Sequence, residues 1–251
     1  MDATVRVHDR PAGRGAAWLR DAFRLFRQAP AAWMALCVGW LVMWFSLLLV
    51  PFLGPVVANL LQPVFFASFA IAAYRQSRGQ PIGIQDLFSG FKHHLKALVN
   101  LGFVMMLAQL ASVFLMRALG LPSWPADQPF DLVEYAEMLR ASKWLLLSGF
   151  ALMALASGAL WFAPQLVAFH GMTASHAIRW SVYASLSNLG AMSVYGVVLV
   201  ALLFVAWVPF GVGLIVMLPV MVISTFTGYR DVFEELLVAE PAPDEPPPTQ
   251  P

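Results

Sequence analysis

Residues 180–229 read WSVYASLSNLGAMSVYGVVLVALLFVAWVPFGVGLIVMLPVMVISTFTGY, fifty positions without an Asp, Glu, Lys or Arg. A bilayer core takes about 20 apolar residues per helix, so a run of this length holds two spans. The only break inside it is Val208-Pro209-Phe210-Gly211, where proline and glycine interrupt a helix and allow a tight hairpin. Three other runs lack those four residue types: 28–74 (47 residues), 97–116 (20) and 144–178 (35). By the same length rule they hold two, one and one spans. The expected fold is therefore all-helical and polytopic, with six spans near 31–50, 52–74, 97–116, 143–165, 189–208 and 210–228 in one membrane domain, residues 1–239. The remaining residues 240–251 contain six prolines and three acids, a composition that favours an extended, disordered tail.

Composition supports the same class. Of 251 residues, 60% are hydrophobic and 12% charged, about half the charged fraction of an average soluble domain. The single cysteine, Cys37, lies within the first span and excludes a disulfide framework or a cysteine-based metal site; it reads as a packing residue. The basic residues are dispersed and carry no recognisable nucleic-acid motif, so no nucleic-acid partner is expected. Their distribution predicts topology. The segments before span 1, between spans 2 and 3, between spans 4 and 5, and after span 6 hold 6, 4, 1 and 1 Lys or Arg, whereas the opposite side holds only Arg117, Arg140 and Lys143. Both termini are thus expected on the cytoplasmic side of the membrane. Trp18, Trp33, Trp124, Trp144, Trp180 and Trp207 fall near span ends, as an aromatic belt requires.

The chain also repeats itself. Val50-Pro51-Phe52-Leu53-Gly54 opens a span that contains Pro63 and ends in Tyr74-Arg75; Val208-Pro209-Phe210-Gly211 opens one that contains Pro219 and ends in Tyr229-Arg230. An amphipathic stretch precedes each pair, at residues 18–27 and 175–186, and a third, residues 86–96, precedes span 3. Three parallel units follow, each an amphipathic helix and a helical hairpin. Such helices suit the bilayer boundary, their apolar faces buried and their cations near anionic headgroups, either as simple anchors or as lipid-sensing elements. Residues 130–140 are expected to form a short helix on the outer surface, capped by Asp127 or Gln128.

Tyr74-Arg75-Gln76-Ser77-Arg78-Gly79, followed after six residues by Asp86-Leu87-Phe88-Ser89-Gly90-Phe91, resembles a signature of uncharacterised bacterial multi-pass inner-membrane proteins, R-G then D-L-F-x-G-F between the second and third of about six spans. It is also distantly similar to the membrane domain that precedes glycerophosphodiester phosphodiesterases. The resemblance implies a part in envelope or membrane maintenance. Read from the residues themselves, Gly79 suits a tight turn, Asp86 suits a helix N-terminus, and Arg75, Arg78 and Lys92 are candidates for an anionic lipid headgroup, with snorkelling at the boundary as the competing role.

Chemistry has little support. His93 and His94 are adjacent and point about 100° apart on a helix, which does not suit one metal ion. His170 and His176 could approach His93 only if the loops fold together, where no Cys or second carboxylate completes a ligand set; Asp86 and Glu234 are the other candidates for catalysis, and no Gly-x-Ser-x-Gly elbow exists. Neither catalytic residues, metal nor cofactor is expected. The spans carry no ionisable residue at depth, which argues against ion coupling. Their polar residues are Asn59, Gln62, Gln109 and Gln165, which either bond helix to helix or line a path for an amphiphile. Gly54/Ala58, Ser68/Ala72 and Ala154/Gly158 are small-xxx-small pairs that bring helices close, within one chain or between copies. The expected function is a non-enzymatic envelope protein that scaffolds partners or organises lipid. The alternative is a permease or flippase for a lipid or other amphiphile. Membrane lipid, especially anionic lipid, is the expected partner, with a second copy or another membrane protein as further possibilities.

Overall fold

The structure is a computed structural model that describes residues 6–122, 130–208 and 210–233, except the side chains of Ala154, Leu155 and Ala159. In chain order the helices are α1 (Arg14–Gln28), α2 (Pro30–Leu48), α3 (Leu53–Ser77), a 3₁₀ segment (Ile84–Lys92), α4 (Leu95–Ala118), α5 (Leu132–Ala141), α6 (Lys143–Ala159), α7 (Ala163–His170), α8 (Ala174–Ser187), α9 (Leu189–Trp207) and α10 (Leu214–Phe233). Six stretches are long and apolar enough to cross a membrane: α2, α3, α4, α6 with α7, α9 and α10. They match the six expected spans within a few residues. The fourth is broken at Leu160–Phe162, one residue pair before Pro164, and the sixth begins later than expected because Phe210–Gly213 form turns. The expected tail 240–251, Trp124 and Pro209 lie outside the described residues.

The first and third units place their second helix inside and their first outside. α3 and α10 bury more than half of their hydrophobic windows, while α2 and α9 bury a small minority and leave their apolar surface facing outward. α3 packs against both α7 and α10. Their ends meet in an aromatic cluster, with ring centroids of Tyr74 and Phe169 5.7 Å apart, Phe169 and Tyr229 5.5 Å, and Tyr74 and Phe226 6.4 Å. The three residue pairs Tyr74-Arg75, Phe169-His170 and Tyr229-Arg230 thus occupy matching places in the three units.

The amphipathic segments all lie at this end, and each packs on the hairpin of the unit before it. The 3₁₀ segment lies on α3 and α2, α8 lies on α7 and α6, and α1 closes the ring against α10 and α9. In α1 the buried positions Gly15, Trp18, Leu19, Ala22, Leu25 and Phe26 recur at helical spacing, while Arg20, Arg24 and Arg27 are exposed. The apolar face read from the sequence as lying in the bilayer boundary is covered by protein. Two tryptophans expected in the aromatic belt are likewise interior: Trp18 is 1% exposed and Trp33 fully buried, because each indole N–H has a protein acceptor. Trp144 and Trp207 do face outward.

Trp33 Nε1 donates to Gln76 Oε1 at 2.7 Å, and Gln76 Nε2 donates to the Leu25 carbonyl at 2.9 Å, tying α1, α2 and α3 together. Trp33→Phe removes the donor and leaves the amide oxygen buried without it. The expected loss is about 1–3 kcal/mol, read as a lower midpoint of thermal unfolding in mild detergent; an unchanged midpoint would refute the bond's contribution.

Two local expectations are corrected. Residues 86–96 do not form an α-helix capped by Asp86. They form a 3₁₀ turn in which Asp86 is the third residue and accepts from Gly83 N at 2.8 Å, followed by a break at His93-His94, where His94 has φ +49°. Gly90 lies so close to α3 that an added Cβ would sit 2.2 Å from the Val64 carbonyl. The outer helix starts at Leu132 and its cap is Asp131, whose Oδ1 accepts from Val133 N at 2.7 Å and Glu134 N at 3.2 Å; Asp127 and Gln128, expected as caps, lie outside the described residues. At the hairpin end, Phe52 has φ +60° and its neighbours close a three-residue turn, Leu53 N to Pro51 O at 2.6 Å; Phe210 repeats the positive φ at +53°.

Candidate functional site

Three of the four span amides converge. Asn59 and Gln62 on α3 and Gln109 on α4 line one cavity of about 140 Å³, together with Ser112 on α4 and Ser157 on α6. Gln62 lies nine residues into α3, a rise of roughly 14 Å, which is near the midplane of a hydrocarbon core about 30 Å thick. Asn59 Nδ2 donates to the Pro55 carbonyl at 2.8 Å and Ser112 Oγ to the Ala108 carbonyl at 2.8 Å, so both hold their places through the preceding turn of their own helices. The remaining wall is thioether and aliphatic, from Met105, Met153, Ala156 and Leu160. Polar groups at this depth are unfavourable unless something satisfies them, and the cavity has room for a handful of waters or the polar part of a headgroup.

The cavity exists because α6 stands away from the bundle. Only a small share of its apolar window is buried, and it touches α4 and α8 without closing on α3. Toward the hairpin end the gap between α4 and α6 continues as a trough of about 190 Å³, sharing Ser112 and Met153 with the cavity and lined by Val113, Met116, Leu146 and Phe150. Arg117, which the sequence reading counted only for topology, lines this trough. Sequence offered one signal for it: the last turn of span 3 carries this lone cation on the side poor in Lys and Arg.

Gln165 stands apart. It is fully buried beside Pro164, and with its amide oriented to suit its surroundings the nitrogen donates to the carbonyls of Trp161 and Phe162 at 3.1 and 3.2 Å. It repairs the backbone at the break before α7, which is a packing role. The headgroup candidates sit at the other end of the molecule. Arg75 pairs through Nη1 with buried Asp86 and through Nε with Gln80 Oε1 at 3.2 Å, so its guanidinium is engaged within the protein. Arg78 and Lys92 are exposed there and are not joined to it in one fork. His94 lies beside Gly171 next to His170, and His170 bonds to the Tyr229 hydroxyl. Among the described residues no group of three or more His, Cys, Asp or Glu stands together as a metal site, and Glu234 lies outside them.

A second cluster was not foreseen. Asp231, in the last turn of α10, accepts from Arg14 Nε at 2.9 Å, Arg14 Nη2 at 2.7 Å and Trp18 Nε1 at 2.8 Å, while Arg10 Nε and Nη2 donate to its carbonyl at 2.9 and 2.7 Å. Asn188 extends it, accepting from Arg10 N at 2.8 Å and donating to the His8 carbonyl at 3.1 Å. This cluster joins the first and third units and lies far from the cavity in the fold.

A Burkholderia thailandensis protein named as a probable inner membrane protein is 31% identical to this chain over 200 residues, covering 75% of this chain and 73% of its own length. The chain belongs to this family. With six apolar helices, it is an integral, multi-pass inner-membrane protein. No family model matches the chain, and no solved structure matches it.

Proposed function

We propose that this inner-membrane protein handles lipid without enzymatic chemistry, and that it passes the polar part of an amphiphile across the bilayer rather than serving as a scaffold. The observation that carries this reading is the cavity where Asn59, Gln62, Gln109, Ser112 and Ser157 meet near the midplane. Amides and hydroxyls there satisfy a neutral or polar headgroup, and the absence of an ionisable residue from the cavity lining accords with movement without ion coupling. The gap between α4 and α6 lets the chains stay in lipid while the headgroup travels inside. The excess of Lys and Arg at the end bearing α1, the 3₁₀ segment and α8 supports a cytoplasmic position for that end. The resemblance of the loop after α3 to the membrane domain preceding glycerophosphodiester phosphodiesterases accords with a part in membrane maintenance.

The test is transbilayer movement of a fluorescent phospholipid in proteoliposomes. The protein is expected to accelerate it, and Asn59→Leu with Gln62→Leu to return it to the protein-free rate while the thermal midpoint stays within a few degrees. Movement undiminished in the double variant would overturn the reading.

A further inference from the structure

We propose that Arg117 makes the hairpin-end trough between α4 and α6 the docking site of an anionic, phosphate-bearing amphiphile. The inference rests on the lipid-handling reading and names its substrate class. Among the described residues, Arg117 is the one charged side chain lining the trough, and the rest of the lining is Val113, Met116, Leu121, Leu146, Gly149, Phe150, Met153 and the hydroxyl of Ser112. Among the described residues the acids at this end, Asp131 at the cap of α5 and Glu134 and Glu137 on it, do not line the trough.

The geometry selects the ligand on two counts. Among the described residues the guanidinium bonds to the Leu121 carbonyl, at a long 3.4 Å from Nη1, and most of its five donors are left for another acceptor. A phosphate diester matches that fork with two oxygens, and beside a hydrocarbon trough the pairing is stronger than in water. Apolar surface next to one cation then suits an acyl chain lying along Val113, Leu146 and Phe150 with its phosphate at the mouth. A hydrocarbon or neutral sterol-like ligand has no use for the charge. Ser112 and Met153 belong to both spaces, so the docked headgroup lies one step from the polar cavity. Gly149 is part of the fit: an added Cβ would meet Met116 Sδ at 2.8 Å, so α6 comes close to α4 at that level.

The experiment is native mass spectrometry of the delipidated full chain incubated with equimolar phosphatidylglycerol and phosphatidylcholine, with a parallel sample in millimolar inorganic phosphate. Phosphatidylglycerol is expected to be retained over phosphatidylcholine by about tenfold. Arg117→Gln is expected to bring the ratio to about one, Arg117→Lys to keep much of it because a point charge still attracts phosphate, and Arg78→Gln at the opposite end to leave it unchanged. Asn59→Leu with Gln62→Leu is expected to keep the preference, since those residues act deeper. An equal ratio in the wild type, or a preference that survives Arg117→Gln, overturns the proposal even if transbilayer movement is intact. Retained inorganic phosphate that displaces lipid also overturns it, in favour of a free-anion site. A wild type that keeps the phosphatidylglycerol preference but does not accelerate transbilayer movement leaves the docking site standing and removes only the translocation reading.

Discussion

Asp231→Ala is expected to lower stability by about 3 kcal/mol, among the largest effects of any single side-chain truncation in this protein. The carboxylate is 8% exposed and holds three donors, two from Arg14 and one from Trp18. Removing it leaves the Trp18 N–H buried without an acceptor and the two arginines facing each other without a counter-charge. The damage is not local, because the same contact joins the first helix to the last. Asp231→Asn retains an oxygen for Trp18 and is expected to lose roughly half as much, while Arg14→Ala loses less than either, since Arg14 is 41% exposed and solvent takes over part of its role. Thermal unfolding in mild detergent of the three variants, with a double-mutant cycle on Arg14 and Asp231, measures this. Equal midpoints for Asp231→Ala and the wild type would mean that packing of α1 alone closes the ring.

The second large effect is Gly15→Ala. A Cβ at this position would sit 2.0 Å from the Ala191 carbonyl oxygen and 2.6 Å from the Tyr195 nitrogen, both backbone atoms of α9. Backbone of a packed helix cannot swing aside as a side chain does, so α1 and α9 must separate by more than an ångström. That separation opens the contact between Trp18 and Tyr195, whose ring centroids are 6.0 Å apart, and strains the Asp231 cluster. An expected cost of about 3 kcal/mol lies at the upper end for overpacking. Gly196→Ala on the outer side of α9 is the matched control, because nothing lies within 4 Å of its added Cβ; there alanine's better helix propensity makes the change neutral or stabilising by a few tenths of a kcal/mol. Comparable midpoints for the two variants would show that α1 does not rest on α9 as closely as described.

The spans were legible because a bilayer imposes one local demand, about 20 apolar residues at a time, that no distant contact can replace. Matching Val-Pro-Phe elbows and Tyr-Arg ends made the first and third units legible too. The polar span residues were visible as types, but only the adjacency of α3, α4 and α6 brings Asn59, Gln62 and Gln109 to one cavity and sends Gln165 elsewhere. The face of α1 was misread for a physical reason. Trp18, Leu19, Ala22 and Phe26 form the same stripe whether lipid or another helix covers it. The role of Arg75 was hidden in the same way: a cation after a span reads as a boundary anchor until Asp86, eleven residues on, is seen to fold back to it. Arg117 went unweighed because a cation at a helix C-terminus has a sufficient local explanation in the dipole.

The closure of α1 on α10 also sets an order of events during synthesis. Arg14 leaves the ribosome 217 residues before Asp231, an interval of roughly 10–40 s at ordinary elongation rates. Through most of that interval α9 and α10, the helices against which α1 chiefly packs, do not yet exist, while the spans between are inserted. An amphipathic helix with arginines opposite its stripe rests stably on a lipid surface. Until α9 and α10 arrive, a lipid surface is the cover that suits this stripe, so the interfacial character written in those residues fits the chain during its assembly as well as the finished fold.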